Sequence, residues 1–298
     1  MDRVIPLSRS RRQIVFAFVV PCVVVLLFIV VFPLGYNLWM SLHNWNLVYP
    51  KQTRFIGLQN YLKIVTNGVF WYSLLNTFYY GFFALLIEFA FGMLIALVIN
   101  LDFPGKAIVQ TLVILPMVAT PVAVSYVWRI MYNPDFGIIN WVLKSLHLPA
   151  WNGIFAANTT MWSLIFIDVW QWTPFLTMIF SAALLSLPRE ALEAADVDGA
   201  NAVQKFIHVT FPLMKTVVVI GVVLRGIDLF KTFDIIYSLT GGGPGRLTET
   251  LNIHTYNMLF TNLDAGRAAA LSIIAVIIAS ITLLQLARTT ALGGGRRK

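Results

Sequence analysis

Four charged residues stand inside one apolar stretch of this sequence, at every third position: Arg225, Asp228, Lys231 and Asp234. At helical periodicity they form a slowly winding stripe of alternating sign. Each costs roughly 2.5–3.5 kcal/mol at the centre of a membrane helix, so four facing lipid are prohibitive. The stripe must face protein, water or its own members. Two readings stay open: an i, i+3 ion-pair ladder that makes the helix insertable, or the polar wall of a solute pathway near the midplane. Two more acids sit in apolar runs. Glu88 lies among Leu85, Leu86, Ile87, Phe89 and Phe91, and Asp168 precedes Trp172 by one helical turn, on the same face. Each reads equally as a pathway group or as a structural hydrogen bond to a neighbouring helix.

Catalytic and metal chemistry find no footing. His43, His147, His208 and His254 show no HExxH spacing, and neither GxxxxGK[ST] nor GxSxG occurs. The single cysteine, Cys22, excludes a disulfide framework and a cysteine metal cage. No catalytic residue, metal or cofactor is expected in this chain.

The elements that position these residues follow from composition. Of 298 residues 58% are hydrophobic and 11% charged, against about 45–50% and about 25% in ordinary globular proteins. That much apolar surface demands a bilayer. The net charge of +8 invites nucleic acid, but the basic residues are scattered between apolar runs as membrane-flanking anchors. The sequence predicts an all-α integral membrane protein, one membrane domain over residues 1–298. Its six transmembrane helices lie near 14–42, 71–100, 107–132, 160–187, 213–240 and 268–287. The first reads as a retained anchor, since its apolar core is too long for a signal peptide. With both termini in the cytoplasm, twelve Lys and Arg fall inside and seven outside, which favours that orientation. Trp45, Tyr49, Tyr61, Trp141 and Trp151 then lie in outside loops, as interfacial aromatics do.

The longest inside segment, 188–212, contains a short helix. Pro188 suits its first turn, Glu190 and Glu193 favour its positive end, and Gly199 can close it in a left-handed cap. Its alanines leave a narrow shaft that fits a partner's cleft. A plain acidic connector helix would read the same way.

Glu193-Ala194-Ala195, then Gly199, then Pro212 resemble the EAA loop of permease subunits in binding-protein-dependent ABC importers. Val209 and Phe211 stand where that pattern carries isoleucine and leucine, and both are apolar. Residues 233–244, ending in Gly241-Gly242-Gly243-Pro244 and followed by Thr248-Glu249-Thr250, resemble the extracytoplasmic segment of carbohydrate permeases of the maltose and glycerol-phosphate type. Asn76-Thr77 and Trp172-Thr173-Pro174-Phe175 are weaker echoes.

The resemblance implies a type I ABC importer transmembrane domain in a bacterial-type inner membrane, forming half of a pathway for a sugar or sugar derivative. It implies a second, distinct permease subunit, two ATP-binding subunits that hold ATP and Mg, and an extracytoplasmic solute-binding protein. The chain is then no enzyme by itself. Glu190, Glu193, Ala194, Ala195, Asp198, Gly199 and Pro212 would couple to the ATPase. Positions matching the sugar site of related permeases fall at Trp170, Gln171, Trp172 and Phe175, and at Arg225, Asp228, Leu229 and Thr232, with Asp168 beside them. Charges at several of these point to a charged or strongly polar solute. The alternative is a secondary transporter driven by an ion gradient, which predicts inverted repeats and interrupted helices in matching halves.

Overall fold

A computed structural model describes residues 9–291. In chain order the elements are α1 (Arg9–Ser41), β1 (His43–Asn44), β2 (Arg54–Phe55), α2 (Gln59–Val65), α3 (Gly68–Ile99), α4 (Lys106–Val118), α5 (Pro121–Met131) and α6 (Ile138–Ser145). They continue as α7 (Thr160–Leu185), α8 (Arg189–Val197), α9 (Ala202–Lys205), α10 (Phe211–Lys231), α11 (Asp234–Thr240), α12 (Leu251–Tyr256) and α13 (Ala265–Ala291). Among the described residues, five helical stretches are long and apolar enough to cross a membrane, and a sixth if the bent pair α4–α5 counts as one span. The described residues divide into two compact units, 9–66 with 255–274 and 67–254 with 275–291.

In the first unit the hairpin pairs His43 with Phe55 and Asn44 with Arg54. Buried Asn60 ties it down, donating to the carbonyls of Ser41 and His43 at 2.8 and 2.9 Å. Gly266 donates to the Trp45 carbonyl at 3.0 Å, so close that a Cβ there would collide with the His43 carbonyl. Asp264 opens α13 by accepting from the Arg267 amide at 2.9 Å, a side-chain N-cap.

In the second unit α7 is the central post, with α3, α4 and α10 packed against it. Without a hydrophobic drive between helices in lipid, close approach needs small residues. Ala84, Gly92 and Ala96 supply them along one face of α3. A Cβ on Gly92 would lie 3.1 Å from Leu176 Cβ and 3.3 Å from the Thr177 nitrogen. Two apolar layers result. One contains Tyr80, Ala84, Leu164, Ile167 and Leu229; the other contains Met93, Ala96, Leu176, Phe180, Met214 and Val218. Glu88 falls between them on the α3 face.

Two predicted spans are not single straight helices. The third breaks between α4 and α5 with a bend of 98°. Pro121 drives the preceding Thr120 out of the helical region, to φ −68° and ψ 138°, and then starts α5. The fifth breaks where Thr232, at ψ 123°, ends α10 and Asp234 starts α11. Asp234 therefore lies beyond the helix that carries Arg225, Asp228 and Lys231, and helical hydrogen bonding is interrupted within the four-residue stripe.

Candidate functional site

The most deeply buried charges meet between the two apolar layers. Arg225 of α10 is 1% exposed, Glu88 of α3 0% and Asp168 of α7 1%. Arg225 Nε donates to Glu88 Oε2 at 2.7 Å and Nη2 to Glu88 Oε1 at 2.8 Å, a bidentate fork. The same Nη2 also donates to Asp168 Oδ2. The Trp172 ring covers the guanidinium, with Cζ 5.1 Å from its centroid, a cation–π contact. The i, i+3 ladder is thus corrected: the partners of Arg225 are on two other helices, and Asp228 is exposed. Buried ions require such partners, because each unpaired charge in a low-dielectric interior is prohibitively costly.

Beside this trio lies a cavity of about 260 Å³ lined by Pro121, Asp168, Trp172, Arg225, Asp228, Lys231, Thr232, Phe233, Asp234 and Ile235. Five of the nine residues that sequence places in the pathway share this wall: Asp168, Trp172, Arg225, Asp228 and Thr232. The other four lie elsewhere. Trp170 stacks edge-on against Trp128, centroids 5.5 Å apart. Phe175 packs in the Met93 layer, and buried Leu229 in the Tyr80 layer. Gln171 is buried and donates through Nε2 to the Ala119 carbonyl at 2.8 Å. That carbonyl belongs to neither helix ladder at the α4–α5 break, so Gln171 satisfies the group that the bend frees. Sequence reading missed Glu88 as the principal partner of Arg225, and Pro121, Phe233 and Ile235 as wall residues. The proline inside a span was a visible signal; the 137-residue separation of Glu88 from Arg225 gave none.

The loop joining α7 to α10 forms as expected at its end. The Asp198, Gly199 and Ala200 amides close on Ala194, Asp196 and Ala195 carbonyls at 2.9, 3.1 and 3.0 Å, and Gly199 takes φ +75°. This is the left-handed C-cap. Asn201 and Gln204 then form a reciprocal capping box, each bond 2.9 Å, and Lys205 pairs with Asp196. Pro212 starts α10. On α8 the exposed residues include Glu190, Glu193, Ala194 and Val197, the last 88% exposed. Ala195 is buried within the chain.

Residues 88–289 match the family of binding-protein-dependent transport system inner membrane components, and the chain belongs to that family. It is the permease subunit of an ABC transporter, a multi-pass protein of the inner membrane, and no enzyme by itself. It is 38% identical over 276 residues to a probable ABC transporter permease protein of Sinorhizobium fredii, covering 90% of this chain and 88% of the relative. It is 33% identical over 282 residues to the trehalose/maltose transport system permease protein of Thermococcus litoralis, covering 94% and 95%. Among solved structures, a permease chain of the bacterial alginate ABC transporter superposes with a TM-score of 0.83 at 21% identity, over 96% of both chains. The fold is that of a type I ABC importer transmembrane subunit, as the sequence predicts. An ion-gradient transporter is set aside.

Proposed function

We propose that the chain forms half of the pathway by which an ATP-driven importer takes up a sugar, and that the cavity beside Arg225 lies on that pathway. One observation carries the reading. Asp168, Trp172, Arg225, Asp228 and Thr232 gather on the two helices that the 188–212 loop joins. The exposed side of that loop's helix presents Glu190, Glu193 and Ala194. A shift of the loop therefore moves both walls of the cavity together, so that one two-state element serves solute and nucleotide. The name of the Thermococcus relative supports a sugar as cargo.

In this proposal the loop faces the cytoplasm with both termini and docks into an ATP-binding subunit. Two such subunits hold ATP and Mg; a second, distinct permease completes the pathway, and an extracytoplasmic binding protein delivers the solute. Uptake of labelled trehalose into proteoliposomes tests the energy source, with ATP enclosed and ionophores collapsing every ion gradient. Uptake is expected to persist with ionophore and to stop without ATP. The reverse dependence refutes the proposal.

A further inference from the structure

Read from sequence, the charges of the cavity wall point to a charged or strongly polar cargo. The geometry answers much of the buried cation from within, because both oxygens of Glu88 accept from Nε and Nη2 of the Arg225 guanidinium. Asp168 takes a second bond from Nη2, and Trp172 lies over the plane. The Nε–Nη2 fork that could grip a phosphate or carboxylate bidentately is therefore taken. With both carboxylates ionised the trio carries one negative charge; with a proton between them it is neutral. Asp228 and Asp234 then outnumber Lys231 among the exposed groups of the wall. With Glu88 behind it, the wall sets four carboxylates against two cations. An anionic solute meets net repulsion here.

What the wall offers is acceptors and an aromatic face. The exposed carboxylates of Asp228 and Asp234 accept hydrogen bonds at this wall. The Thr232 hydroxyl donates to the Asp228 carbonyl at 3.2 Å, which leaves its lone pairs for an incoming O–H. Trp172 presents ring surface to the apolar C–H face of a sugar. Hydroxyl hydrogens and C–H faces are the chemistry of a neutral polyol.

We infer that this pathway admits an uncharged polyhydroxylated solute and disfavours anionic sugars, and that Glu88 sets this selectivity by holding and neutralising Arg225. The inference rests on the cavity being the solute pathway. Glu88 is a positioning residue, behind the wall rather than on it.

Trehalose and trehalose 6-phosphate, which differ by one phosphate, test this on the assembled transporter in lipid nanodiscs. By equilibrium dialysis the neutral sugar is expected to bind roughly tenfold tighter or better. Glu88→Gln is expected to narrow that ratio by about tenfold, and Glu88→Asp to restore most of it. A purely structural role would weaken both sugars alike and leave the ratio in place. Should Glu88→Gln not assemble, Asp228→Asn at the exposed wall is expected to narrow the ratio severalfold. Tighter binding of the phosphate by the parent, or an unchanged ratio in the assembled variants, overturns the inference and leaves the pathway standing. Binding of neither sugar by a complex that hydrolyses ATP overturns the pathway reading and the inference with it.

Discussion

Arg225 is the residue on which the interior of the second unit turns, because it answers two carboxylates contributed by two different helices. Arg225→Ala leaves both buried without a cation, a loss of about 3–5 kcal/mol for a broken buried pair. A clear drop in the melting midpoint of the solubilised complex, read by tryptophan fluorescence, is the expected outcome; an unchanged midpoint contradicts the pairing. Exchanging the residues, Arg225→Asp with Asp228→Arg, would preserve a local i, i+3 pair. In this structure it instead adds a third carboxylate beside Glu88 and Asp168, so the exchanged protein is expected not to accumulate in membranes. The sequence displayed every charge in this network but not its pairing. Local spacing favoured Asp228, while the actual partners lie 57 and 137 residues away, brought in by helix packing that no motif encodes. Gln171 illustrates the same limit: its amide caps a carbonyl freed by a bend whose sharpness only the fold reveals.

At the scale of elements, α3 and α7 are held together by absence of side chain. Gly92→Val inserts methyl groups where a bare Cβ already lies 3.1 Å from Leu176. Overpacking of this kind costs about 1–3 kcal/mol, and a melting midpoint lowered by several degrees is expected. Gly199 differs, since nothing lies within 4 Å of a Cβ there and its burden is conformational. Gly199→Val forces a β-branched residue to φ +75° at roughly 1–2 kcal/mol or more. Insertion is expected to be normal while solute-stimulated ATP hydrolysis falls; full stimulation would detach the loop from coupling. Composition made the spans legible to within a few residues, and Gly199 announced the end of α8. The α10–α11 break was not legible, because no proline or glycine marks Thr232 and Phe233. Nor was the inward turn of Ala195, which depends on how α8 seats against its neighbours.

At the scale of the whole molecule, charge bias alone sets the proposed orientation, with both termini in the cytoplasm. A reporter fused after Lys298 is expected to resist added protease in intact cells or right-side-out vesicles. A tag between Ala157 and Asn158, both exposed, is expected to be cut. Buried Thr159, bound to the Gly153 carbonyl at 2.5 Å, makes insertion one residue later a poor control. The opposite pattern would turn the 188–212 loop away from any cytoplasmic ATPase. The central claim, that solute passes the cavity between α7 and α10, is tested most directly by Trp172→Ala in the reconstituted transporter. Removing the ring takes away a stacking surface worth about 0.5–1.5 kcal/mol beyond its area and uncovers Arg225. Trehalose uptake is expected to fall by about tenfold or more while ATP hydrolysis without solute stays near the parent rate. Parent-level uptake by the assembled variant would contradict the claim.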